Sequence, residues 1–149
     1  MKTCTFFGHR DAPTNYTYEL KNILIDLVDN EGVDTFLVGN NGRFDSMVLS
    51  ILKEFASVYK HITYDVVVSK MPGKKELEKY SNYDCEHTMY PFILETTPPR
   101  FAIDARNKWM VQQADYVVTY VVKNYGGAAK FKEYAEKKGK KVINLADVV

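Results

Sequence analysis

Cysteine is nearly absent: Cys4 and Cys85 are the only two in 149 residues. Two thiols so far apart make no disulfide framework and no zinc pattern, so neither sulfur bridges nor sulfur-bound metal define the fold. Long apolar runs are missing too. None approaches the roughly 18 residues that a membrane span needs. The N-terminal stretch MKTCTFFGHRD turns polar too soon for a signal peptide. Charge of one sign is also lacking. Lys and Arg number 20 against 19 Asp and Glu, a net charge of +1, so no global field draws in nucleic acid or an anionic membrane. Together these absences predict a reduced, cytoplasmic protein that does not bind membranes and is not built for nucleic acid.

What is present is ordinary in bulk and unusual in place. The chain is 46% hydrophobic and 26% charged, enough for a core without staples, and its length predicts one domain over 1–149. The elements alternate. TCTFFG at 3–8, DTFLVG at 34–39 and HITYDVVV at 61–68 read as strands. Leu20, Ile23, Leu24, Leu27 and Val28 repeat at helical spacing and predict a helix near 16–30. Val48, Ile51, Leu52, Phe55 and Tyr59 line a second helix, with Asp45 or Ser46 as N-cap. Residues 69–99, with Pro72, Gly73, Pro91, Pro98 and Pro99, read as a lid, binding loop or insertion. A helix follows at 101–113, with Ile103, Met110 and Ala114 on its buried face. Then come a strand at 116–122, a helix near 128–138 that stops at Gly139, and a strand at 141–145.

This order predicts βαβ units: an α/β fold, a Rossmann-like three-layer sandwich with a mostly parallel sheet. The run YVVTYVV shows no polar alternation, which fits a strand covered on both faces. Ligands of such sheets bind outside the carboxyl ends of the strands. Three of those ends carry glycine: GHRD at 8–11, GNNGRFD at 39–45 and YGGAA at 125–129. Glycine there permits close backbone approach, and the helix that follows offers N–H groups to a phosphate. The candidate ligand contacts are therefore Gly8, His9 and Arg10; Gly39, Asn40, Gly42, Phe44 and Asp45; and Gly126, Gly127 and Ala128. Arg106 and Asn107 join them, because their helix leads into the glycine-pair strand. Asp45 reads equally as a helix cap or as a hydroxyl or ribose contact. Trp109 reads as packing or interface. The remaining histidines, His61 and His87, read as structural or solvated. With no paired ligand spacing, the chain predicts no metal site and no cofactor.

The segments CTFFGHRD, GNNGRFD, ARNKWMVQQAD and YGGAAK, in that order, resemble the SLOG superfamily, named for its Smf/DprA and Lonely Guy members. The likeness spans essentially the whole chain and is greatest to small stand-alone bacterial and phage proteins. It implies a Rossmann-like fold that binds a nucleotide or nucleotide-derived molecule. Some members sense NAD-derived or ADP-ribose-like signals, and many are dimers, so a homo-oligomer is implied as well.

Lonely Guy enzymes cleave the N-glycosidic bond of nucleoside monophosphates. Against their motifs Arg106 falls on the catalytic arginine, Gly126 and Gly127 on the glycine pair, and Glu133 on the catalytic glutamate. Tyr125, Ala129 and Lys130 stand where that family has Pro, Gly and Thr. The resemblance thus implies a ligand sensor or sequestering protein first, and as an alternative a nucleoside 5'-monophosphate hydrolase that uses Arg106 and Glu133.

Overall fold

The computed structural model describes residues 1–71 and 87–148. The strands are β1 (Thr3–Gly8), β2 (Thr35–Val38), β3 (Thr63–Val67), β4 (Thr88–Met89), β5 (Tyr116–Tyr120) and β6 (Lys141–Asn144). The helices among the described residues are α1 (Thr17–Asp29), α2 (Gly42–Val58), α3 (Ala102–Gln113) and α4 (Gly127–Lys137). The six strands among the described residues all run parallel, in the order β4-β3-β2-β1-β5-β6. The chain moves outward from β1 to β4, then returns to lay β5 on the other side of β1. Gly8 stands opposite Tyr120 in that pairing. Strand order reverses between β1 and β5, and that is where α/β sheets open a ligand crevice.

Successive strand residues point to opposite faces, so Phe6 and Phe7 enter different cores. Phe6, Phe36 and Val38 pack with Leu20, Leu24 and Leu27 of α1 and with Val48, Ile51 and Leu52 of α2. Phe7, Leu37, Val67 and Val117 pack with Met110 and Val111 of α3 and with Phe131 and Ala135 of α4. The result is the expected Rossmann-like three-layer sandwich. Each such side chain contributes about 1.5–3 kcal/mol by leaving water. The lack of polar alternation in β5 follows, since helices cover both of its faces.

Three local features differ from what spacing predicts. Helix α2 starts at Gly42, not at Asp45 or Ser46, and Asn41 is its N-cap. The Asp45 carboxylate instead reaches back and accepts the Asn41 backbone N–H at 3.0 Å. In α3 and its C-cap, Met110 and Ala114 are buried but Ile103, in the first turn, is half exposed. Of the segment 69–99, residues 72–86 lie outside the described residues. The rest adds a sixth strand to the sheet edge, where β4 pairs with β3 and the Val68 N–H donates to the Met89 carbonyl at 2.9 Å. Two short 3₁₀ turns, Phe92–Thr96 and Pro99–Phe101, then lead into α3. No helix among the described residues is long and apolar enough to cross a membrane.

Candidate functional site

At the switch point β1 leaves the sheet through Gly8. A Cβ added there would fall 2.2 Å from Cγ of Phe44. Phe44 is fully buried in the core, so its ring fills the space that a side chain at position 8 would take. Phe44, anticipated as a ligand contact, is a packing residue.

His9 comes next and is 9% exposed. Its Nε2 accepts the backbone N–H groups of Val122 at 3.1 Å and Lys123 at 3.3 Å. Its own backbone N–H donates to the Tyr120 carbonyl at 3.4 Å. One imidazole thus ties the exits of β1 and β5 together. A ring that accepts at Nε2 carries its proton on Nδ1. Burial lowers the pKa of His9 and the Lys123 charge lowers it further, while Asp11 pulls the other way.

Arg106 projects from α3 beneath the crevice and is only 2% exposed. Nε donates to Oδ1 of Asn107 at 3.1 Å, and Nη1 donates to Oδ1 of Asn40 at 2.7 Å and to the Val67 carbonyl at 3.3 Å. Nη2 has no hydrogen-bond partner among the described residues. Burial lowers the Arg106 pKa and nearby Asp45 opposes that shift. Asp45 itself is 8% exposed. Burial pushes its pKa up from 3.8 to about 6, against the pull of the Asn41 N–H and of Arg106. Gly39 separates the two groups. A Cβ there would lie 2.9 Å from Oδ2 of Asp45 and 3.4 Å from Nη2 of Arg106.

The opposite wall is the start of α4. Gly126, its N-cap, has φ +93° and no side-chain cap bond. The first intrahelical bond runs from the Lys130 N–H to the Gly126 carbonyl. The N–H groups of Gly127, Ala128 and Ala129 have no partner among the described residues and carry the positive end of the helix dipole. An ion pair between Lys130 and Asp104 ties α4 to α3, and Lys108 joins the same carboxylate at 3.1 Å. Lys130 is therefore engaged by Asp104.

These elements enclose a cavity of about 370 Å³, within the usual range for small-molecule sites. Gly8, His9, Arg10, Gly39, Asp45, Arg106, Asn107, Gly126, Gly127 and Ala128 all line it. Asn40 touches it only through Arg106, and Gly42 opens onto a different groove. Glu133 lies elsewhere. Its side chain is 67% exposed and pairs with Lys137 one helical turn on, at 3.1 Å. Arg106 and Glu133 do not share a site in this geometry; the carboxyl beside Arg106 is that of Asp45. Asp11, Asn41, Ile103, Lys123 and Tyr125 also line the cavity and are not among the ligand contacts expected from the sequence. Lys123 and Tyr125 lie just before the glycine pair, and Ile103 precedes Arg106 by one helical turn, so adjacency was their available signal.

The site is chemically two-sided. The α4 wall offers unpartnered backbone N–H groups and the wall facing it a buried guanidinium, both suited to an anion. Beside the guanidinium stands the Asp45 carboxyl, its pKa pushed up by burial to about 6, and Ile103 and Tyr125 add apolar surface. No family model matches the chain, and no curated protein is significantly similar to it.

Proposed function

We propose that the chain is a SLOG-like protein that binds a nucleotide or nucleotide-derived molecule in the switch-point cavity, as a sensor or a sequestering protein. The phosphate sits on the first turn of α4, within reach of the free Nη2 of Arg106. The apolar surface of Tyr125 and Ile103 takes the base or sugar. One observation carries this reading: a guanidinium 2% exposed lines the same cavity as an uncapped, glycine-led helix N-terminus, with one of its nitrogens unpartnered among the described residues. An open guanidinium donor that faces a cavity is a ready partner for an anion.

The hydrolase alternative loses its carboxylate in this geometry, because Glu133 is solvated and paired with Lys137. Calorimetry across purine and pyrimidine nucleoside phosphates tests the proposal. One of them should bind, Arg106→Gln should weaken it about tenfold to a hundredfold, and no free base should be released. Absence of binding across the whole panel would sink the reading; base release abolished by Glu133→Gln would restore the hydrolase.

A further inference from the structure

A second space opens between α1 and α2, a groove of about 820 Å³ that shares Arg10 with the cavity. At its mouth Arg10 and Arg43 are locked together through their backbones. The Arg43 N–H donates to the Arg10 carbonyl at 3.1 Å. Between them Gly42 has φ +91°, and a Cβ there would lie 2.8 Å from Cα of Arg10. Two guanidinium groups are thus rooted on one tight junction, and neither has an acidic partner among the described residues. Glu54 is the one carboxylate in the groove wall, and Lys21 neutralises it at 3.1 Å. The hydroxyls of Thr14 and Ser50, also in the wall, make no hydrogen bond among the described residues. The groove therefore holds an excess of positive charge and free donors, although the chain as a whole is nearly neutral. Arg10 and Arg43 are both exposed and rooted on one backbone junction, so one anion at the groove can engage both guanidinium groups.

We infer that the mouth of this groove binds a second anionic group of the ligand, carried past Arg10 from the cavity. The inference rests on the proposed nucleotide site and narrows it: the ligand carries a further phosphate or equivalent charge beyond the one on α4. A monophosphate fills only the cavity, whereas a diphosphate or pyrophosphate-linked nucleotide reaches both.

Amide NMR of the full chain, titrated with AMP, ADP and inorganic pyrophosphate, separates the two regions. ADP should shift Gly127 and Ala128 in the cavity together with Arg43 and Ser50 in the groove, and AMP should shift the first pair alone. Arg43→Gln should weaken ADP about tenfold and leave AMP within twofold. ADP shifts confined to the cavity, or ADP affinity unmoved by Arg43→Gln, would overturn the inference and leave the nucleotide reading intact. Groove shifts with pyrophosphate, while no nucleotide shifts the cavity, would reject the nucleotide reading and keep the groove as an anion site. No shift in either region with any probe would reject both.

Discussion

Glycines on two walls of one cavity answer to different constraints. On the β1 and β2 side, side chains of the protein itself already occupy the space: Phe44 fills the volume a residue at 8 would need, and Asp45 and Arg106 crowd Gly39. On the α4 side, a Cβ at Gly126 or Gly127 would meet nothing within 4 Å. Gly126 is still constrained, since its φ of +93° disfavours any L side chain. Gly127 is constrained by neither packing nor backbone. The first wall belongs to the fold, and the second holds room that the fold leaves unused. A protein that kept Gly127 only to fold would have no reason to prefer it to alanine, which is the better helix former.

The sharpest way to break this contrast is at Gly8. Gly8→Val should destabilise the protein by about 3 kcal/mol, because the buried Phe44 ring has nowhere to withdraw. Denaturant unfolding measures it, and Phe44→Leu in the same chain should recover part of the loss. An unchanged midpoint would mean that the two walls are alike.

The pH dependence of stability probes the same wall. Folded Asp45 stays protonated up to about pH 6, whereas unfolded it titrates near 3.8. Between those values the folded state binds the extra proton. The Asp45 contribution is therefore full below about pH 4 and is lost as pH rises through about 6, on the order of 2–3 kcal/mol. His9 works in the opposite direction. Its folded pKa is depressed, so its contribution is present above about 6.5 and is lost as pH falls. Asp45→Asn should remove the Asp45 share of the decline between pH 4 and 6, leaving a smaller share from Asp65, which burial also raises, and the opposing losses at low pH of His9, Asp34 and Asp104. Urea midpoints at stepped pH report both, and an Asp45→Asn profile parallel to the parent would remove Asp45 from the account.

The smallest effects fall on the α4 wall. Gly126→Ala should cost on the order of 1–3 kcal/mol, because φ +93° with ψ 174° is a backbone region essentially reserved for glycine. Gly127→Ala should be neutral or stabilise by about 0.5 kcal/mol, since the unfolded chain loses freedom and nothing is struck. Thermal midpoints of the two variants should move in opposite directions; a matching loss in both would make the glycine pair a single structural turn.

The strand and helix alternation, the parallel sheet and the convergence of Gly8, His9, Arg106 and the glycine pair were legible because period and chain order reach that far. β4 was not, for two residues, Thr88 and Met89, leave no period to read. The start of α2 was hidden by Gly42, which looks like a turn while it opens the helix. Phe44 looked like a site residue because it sits in a glycine-rich strand end, and sequence position does not say which way a ring points. Arg106 reads as a site residue because its helix leads into the glycine-pair strand, and only the fold shows the guanidinium itself enclosed. Glu133 was chosen by alignment to a motif whose neighbours this chain lacks. Its distance from Arg106 could be learned only from the helix face it occupies.

The central claim is that the space in front of Gly127 is kept for a phosphate. Calorimetric titration of the nucleotide that binds the parent chain, repeated on Gly127→Val, tests it most directly, with a thermal melt of the same sample as the control for folding. The account predicts a thermal midpoint close to that of the parent and an affinity lowered about a hundredfold or more, because the valine side chain stands where the phosphate meets the first N–H groups of α4. Unchanged affinity in a folded Gly127→Val protein would contradict it and reduce the glycine pair to a turn.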